Sequence, residues 1–315
     1  MNKTEEIFHQ LVRLGIGTSK RVFSLDAIDL RDLENLAERQ GVSAILADAL
    51  QQESSDRIKS ASSLEWIHNT LQGCEVKFGI LCRVLEERIK KNEEKGAKTV
   101  ILNPFFLEWP RPEFCPGDDI FMWIRGEQKS SFATLVYKDH RKKNNVCDYI
   151  YLRFIKDRKW MKIVFEECPE EKYNDEDFNG QKIYVPSHNF VGLFLMFHSL
   201  HLFYSSGIKL RHLLDWAFFV KRHGADVDWD WLHAVLEKYH MREFYDCFNA
   251  ICVEDLGFDS KIFPYVQFEP KMKENVLNAI LYPSPLTEGS CFFRRCFSIL
   301  RQRSNSAWKR QLFHR

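Results

Sequence analysis

A chain of 315 residues exceeds the usual size of one domain, so two or three packed units are expected. Lys and Arg total 45 against 44 for Asp and Glu, and the resulting net charge of +1 makes no field that would select nucleic acid or an anionic membrane as a general partner. Nine scattered cysteines without a C-x-x-C pair indicate neither a disulfide framework nor a zinc site; no apolar run reaches the ~18 to 20 residues that span a bilayer, and a cytoplasmic protein with free thiols is the expectation.

Residues 1–96 read as a helical region. Ile7, Phe8, Leu11, Val12 and Leu14 recur at helical spacing, and a loop follows near Gly15 to Phe23. A second helix begins around Asp29, carries Leu33, Leu36 and Ala37 on one stripe, and stops at Gly41. Val42 to Leu50 makes a third. Ser63 to Lys95 makes a long fourth, whose Lys-Lys-Asn-Glu-Glu-Lys run before Gly96 is a solvated last turn.

Residues 97–186 read as a sheet. Thr99 to Leu102 is a short strand, Pro104, Pro110, Pro112 and Pro116 exclude a helix after it, and Asp118 to Ile124 is a second strand. Gly117 supplies the turn that delivers Asp118 and Asp119 at the strand edge. Carboxylates at i and i+2 of a strand share one face and can hold divalent ions together, whereas adjacent ones point to opposite faces. Lys129 to Lys143 reads as a short helix with Phe132, Leu135 and Val136 inward. Tyr149 to Phe154 and Trp160 to Phe165 then read as a hairpin about the polar turn Lys156 to Lys159. Glu166 lies two residues beyond Val164, hence on its strand face; Glu170 to Asn179 reads as a loop.

Residues 187–290 read as helical again. Asn189 to Tyr204 is a buried helix, Lys209 to Lys221 a second, and Val227 to Leu232 opens another after Gly224. Arg211 and Asp215 are four apart and share a helix face, as do His198 and His201 three apart. Residues 291–315 form a basic amphipathic tail, a candidate contact for an anionic membrane surface or an acidic partner.

These pieces resemble an uncharacterised nucleotidyltransferase family found near bacterial surface-polysaccharide genes, within the polymerase-beta-like superfamily. The family runs roughly V-L-L-K-G, then Y-P-x-P-x-x-R, then G-D-I-D. The matching residues are Val100 to Pro104, Trp109 to Glu113, and Pro116 to Phe121. Leu36 to Val42 is similar to its L-A-x-x-Q-x-V segment. His198, His201, Gly207, Ile208, Leu210, Arg211, Leu213, Asp215, Trp216, Ala217 and Asp255 to Gly257 are similar to its C-terminal signature. The resemblance runs from about Phe8 to Gly257. It implies an α+β fold: a small mixed β-sheet nucleotidyltransferase core flanked by N-terminal and C-terminal helical regions.

The implied activity is transfer of a nucleotidyl group from an NTP to an acceptor, with Mg²⁺ on Asp118 and Asp119, Glu166 as third acid, and Asn103, Gly117, His198, His201, Arg211 and Asp215 around the substrate. The chain departs from the family in three places. Asn103 and Pro104 stand where the family has Lys-Gly, the two aspartates are adjacent, and the V-E-x-H segment has become Val164-Phe165-Glu166-Glu167. The alternative they support is a catalytically silent binding or scaffold protein with the same fold.

Overall fold

The computed structural model describes residues 3–20, 30–53, 61–115, 120–126, 130–142, 145–155, 159–169, 173–178, 181–205, 207–264 and 268–282. Gly117, Asp118, Asp119 and the basic tail 291–315 lie outside the described residues.

Four helices come first: α1 (Lys3–Gly15), α2 (Leu30–Gln40), α3 (Ser43–Gln52) and α4 (Ala61–Glu93). α1 and α2 bury the stripes that their spacing marks, Ile7, Phe8, Leu11 and Val12 on α1 and Leu33, Leu36 and Ala37 on α2, whereas Leu64 and Val76 of α4 are exposed. Gly41 ends α2 at φ +67°, a left-handed conformation that a side chain resists. At 33 residues, α4 is about 50 Å long. Its start packs Ile67 with the other helices, and its second half sets Leu81, Leu85 and Ile89 against the sheet.

The sheet has six strands among the described residues, in the order β4-β3-β2-β1-β6-β5. They are β1 (Lys98–Ile101), β2 (Ile120–Arg125), β3 (Ser130–Lys142), β4 (Asn145–Ile155), β5 (Asn174–Phe178) and β6 (Gln181–Val185). β1 pairs with β6 in parallel and every other neighbour is antiparallel, which makes the sheet mixed. Both faces are covered. Ile101, Ile120, Met122 and Ile124 meet α4 on one side, while Val100, Leu102 and Phe121 enter the larger core on the other. Between β1 and β2, where the prolines were expected to exclude a helix, lie the single turn α5 (Phe105–Glu108) and a 3-10 turn, Pro112–Phe114: the prolines stand at the starts of these turns and limit them to three or four residues. The expected α+β architecture, a mixed sheet between helical regions, is the one observed.

Three local readings are corrected. Lys129 to Lys143 is not a helix: β3 occupies it and pairs with β2 from Ile120↔Leu135 to Arg125↔Ser130. Thr134, Val136 and Tyr137 are residues that favour a strand once one on either side is available to pair with. Trp160 to Phe165 is not a strand but part of α6 (Lys159–Glu167), so Tyr149 to Phe154, in β4, pairs with β3 instead. Trp160, Met161 and Val164 are buried while Lys162 and Glu166 are exposed, which is a helical and not an alternating pattern. Within Glu170 to Asn179, Asn174–Phe178 is the edge strand β5 and not a loop. Its acidic side chains suit a sheet edge, where charge discourages pairing with a second chain, and Asp175 meets Lys182 of β6 at 2.6 Å.

The remaining helices are α7 (His188–Ser205), α8 (Leu210–His223), α9 (Trp229–Lys238), α10 (Arg242–Ala250) and α11 (Pro270–Leu281). α8 is buried from Leu210 to Val220. A fully buried glutamine at the end of α2 ties its start to the rest: Gln40 Oε1 accepts from Leu210 N at 2.9 Å, and its Nε2 donates to Ile280 O at 2.8 Å. The helix start would otherwise leave that amide without an acceptor. No helix among the described residues is long and apolar enough to cross a membrane.

Candidate functional site

The end of β1 and the start of β2 meet where the sequence places its acids. Leu102 N donates to Phe121 O at 2.9 Å, one step beyond the β1 ladder, and the Asn103 side chain then takes over: its Oδ1 accepts from Phe121 N at 2.6 Å. Pro104 follows and opens α5. Asn103, 4% exposed, thus serves the backbone, and its neutral amide supplies no cation for a phosphate.

The turn after α5 is fastened to α8. Trp109 Nε1 donates to Asp215 Oδ1 at 2.8 Å, and its ring meets Phe218 edge-on. Arg111 lies over the Phe114 ring and reaches Asp48 at 2.7 Å and Glu113 at 2.9 Å. The described turn ends at Cys115, and its thiol is pushed well above the usual range by burial and by the Asp215 charge, against the pull of Arg211. Gly117, Asp118 and Asp119 follow in sequence before Ile120.

On α8, Arg211 and Asp215 are both buried, as their spacing on one inward face predicts. The Asp215 carboxyl is raised to about 6 by burial, against the lowering influence of Arg211 and of the Trp109 hydrogen bond. Burial lowers the Arg211 pKa, yet a guanidinium keeps its charge. Its Nη2 lies 2.8 Å from His212 Nε2. Guanidinium only donates, so His212 must accept there as a neutral ring, in keeping with a pKa pushed well down by burial and by Arg211. Gly41 makes room for this arginine: a Cβ there would stand 2.6 Å from Arg211 Cδ.

His198 and His201 of α7 reach the same region through Trp160 of α6. The Trp160 ring lies 5.7 Å from that of His198 and 6.0 Å from that of His201. His198 also meets Phe121 at 5.4 Å and His212 at 6.3 Å. Trp160 Nε1 is a buried donor with no hydrogen-bond partner among the described residues. Glu166 is elsewhere. It is on the exposed side of α6, with Lys162 at 3.7 Å, and the strand face that would have aligned it does not exist.

Beside Cys115 and Arg211 opens a cavity of about 600 Å³ between α4, the α2–α3 corner and the start of α8. That volume falls in the range of small-molecule sites, about 300–1,000 Å³. Lys77, Lys209 and Arg211 supply cations to its wall, Glu38 and Glu113 acids, and Trp66 a ring. The structure therefore links Arg211, Asp215 and His198 through His212 and Trp109, ties Asn103 to Phe121, whose ring meets His198, and leaves Glu166 out. Trp109, Trp160, His212 and Lys77 join it without having been singled out in the sequence. Trp109 had a signal, since it heads a turn that carries the resemblance; Lys77 and His212 had none beyond helical position.

Of the two other carboxylates expected near the site, Asp215 accepts from Trp109 and Glu166 faces outward on α6. Residues 151–257 match the model of a family described as uncharacterised nucleotidyltransferase. The match covers about a third of the chain, from within β4 past the end of α10, and so contains Arg211 and Asp215 but neither Asn103 nor the two aspartates. No curated protein and no solved structure matches the chain.

Proposed function

We propose that the protein binds a nucleoside triphosphate in the cavity beside Arg211, as a nucleotidyltransferase-like protein. The observation that supports this most is the buried, charged Arg211, held by His212 and lodged in the cavity wall on a helix inside the matched segment. Arg211, Lys77 and Lys209 meet the phosphates, and Trp66 offers a face to the base. Asp215 is an anion already acting on Arg211, and a phosphate in the cavity would add a charge-assisted partner to the same guanidinium. Asp118 and Asp119 hold a divalent ion, expected to be Mg²⁺, which would neutralise the triphosphate during transfer to an acceptor.

The second reading, a silent nucleotide-binding protein, is favoured by Asn103 and Glu166. The first is used by the backbone where the family has a lysine, and the second points away. Two adjacent carboxylates without a third are expected to hold Mg²⁺ weakly.

A melting titration with each NTP, with and without Mg²⁺, separates the outcomes, since a ligand raises stability by RT ln(1 + [L]/Kd). A rise that needs no Mg²⁺ and falls in Lys77→Ala and Lys209→Ala supports binding without transfer. A rise that needs Mg²⁺ and disappears in both Asp118→Ala and Asp119→Ala supports the enzyme. No response to any NTP overturns the nucleotide reading.

A further inference from the structure

A second group of ligating side chains lies at the opposite end of α8. His188 is the first residue of α7, His223 the last of α8, and Asp226 closes the 3-10 turn that follows. One potential ligand atom from each lies within 4.8 Å of the other two. The two imidazoles are stacked with ring centroids 4.0 Å apart, and His188 Nδ1 is 3.7 Å from Asp226 Oδ2.

Behind them is a carboxylate whose placement these contacts alone do not explain. The Glu108 side chain is 6% exposed, and its Oε2 lies 2.8 Å from His223 Nε2 and 3.7 Å from Arg222 Nε. Yet that oxygen is buried without an aligned hydrogen bond among the described residues. A buried carboxylate oxygen close to an imidazole nitrogen and misaligned with it is costly, and Arg222 at 3.7 Å offsets only part of that cost, so a further positive group at His223 would stabilise it. Coordination does this, because a metal ion draws nitrogen and oxygen donors together with neither needing a proton between them.

We propose that His188, His223 and Asp226, supported by the buried carboxylate of Glu108, form a binding site for a transition-metal ion of the zinc class, separate from the nucleotide cavity. Two imidazoles with carboxylate oxygens suit Zn²⁺ or its neighbours and not Mg²⁺ or Ca²⁺, which take oxygen donors. Bonds of about 2.0–2.1 Å to Zn²⁺ require the donors to close to roughly 3.3 Å in a tetrahedron. Asp226, on an exposed turn with its side chain 61% accessible, is free to swing inward over that distance. The bound ion fastens the start of α7 to the end of α8, the two helices that carry His198, His201, Arg211 and Asp215. Sequence spacing hides the site, since the two histidines stand 35 positions apart and no short motif joins them.

The test uses the untagged full chain, stripped with a chelator and then titrated with Zn²⁺ by calorimetry and with Co²⁺ by absorption. The expected result is one tight site per chain, a raised melting temperature, and a Co²⁺ spectrum of nitrogen and oxygen ligands without thiolate charge transfer. Asp226→Asn, on the exposed turn, keeps the fold and weakens Zn²⁺ by about tenfold or more; His188→Ala abolishes the site, and the double variant Asp118→Asn/Asp119→Asn leaves it intact. Absence of Zn²⁺ binding by the wild type, thiolate bands with Co²⁺, or unchanged affinity in Asp226→Asn and His188→Ala overturns the proposal. None of these outcomes bears on nucleotide binding.

Discussion

Asp215 is the side chain whose chemistry burial changes most usefully. An unfolded aspartate ionises near 3.8, whereas this one holds its proton to about 6 because desolvation outweighs Arg211 and Trp109. Between those values the folded chain binds more protons than the unfolded one, so this carboxyl stabilises the fold at low pH, and the contribution is lost as pH rises through the folded pKa. The difference in stability across that range is roughly 3 kcal/mol. Asp215→Asn keeps an acceptor for Trp109 Nε1 and removes the titration. The expected outcome is that urea unfolding between pH 4 and pH 7 shows the wild type losing stability relative to Asp215→Asn as pH rises. Parallel pH profiles would mean that Asp215 is ionised throughout, with Arg211 and not burial in command.

Among the elements, α8 depends on a residue from a distant part of the chain. Gln40 accepts the Leu210 amide and donates to the Ile280 carbonyl, both in the core. Gln40→Leu fills similar space but strands both groups, and a loss of about 2–4 kcal/mol is expected in chemical denaturation. A loss below about 1 kcal/mol would show that water replaces the amide. The four N-terminal helices and α7 to α9 were legible because their apolar residues recur at three and four over ten residues or more. α6 was not. In Trp160-Met-Lys-Ile-Val-Phe165 the run is too short to separate periods of two and 3.6, and the contacts of Trp160 with Phe194, His198 and His201 on α7 decide the matter. β3 failed for the reverse reason, since its strand depends on β2 and β4, partners that no local pattern announces. The inward placement of Arg211 and Asp215 was legible, because a single helix carries the signal. The approach of Glu108, His188, His223 and Asp226 was not, since only the folded chain brings them together.

For the molecule as a whole, the larger core runs through α1 to α3, one face of the sheet, and α6 to α11 without interruption. Polar ties cross the same divide. Thr18 Oγ1 donates to Leu256 O at 2.6 Å, Gln40 reaches Leu210 and Ile280, and Gly257, at φ +75°, has Arg13 where a Cβ would stand, 2.7 Å from Nη2. The other face of the sheet relies on α4, whose Leu81, Leu85 and Ile89 cover Ile101, Met122 and Ile183. Removing residues 1–96 would therefore expose both a sheet face and the flank of α8, with no replacement for either. At about 25 cal/mol per Å² of apolar surface, exposing the partners of a dozen buried side chains exceeds the roughly 5–15 kcal/mol by which domains are stable. The expected outcome is that the fragment 97–290 shows no cooperative melt, while the full chain shows one whose midpoint NTP raises. Because Lys77 and Trp66 stand on α4 and Arg211 on α8, the cavity exists only when both halves are present. A fragment 97–290 that melted cooperatively and still responded to nucleotide would place both the stability and the binding in the sheet and C-terminal helices, contrary to a shared core and a shared cavity.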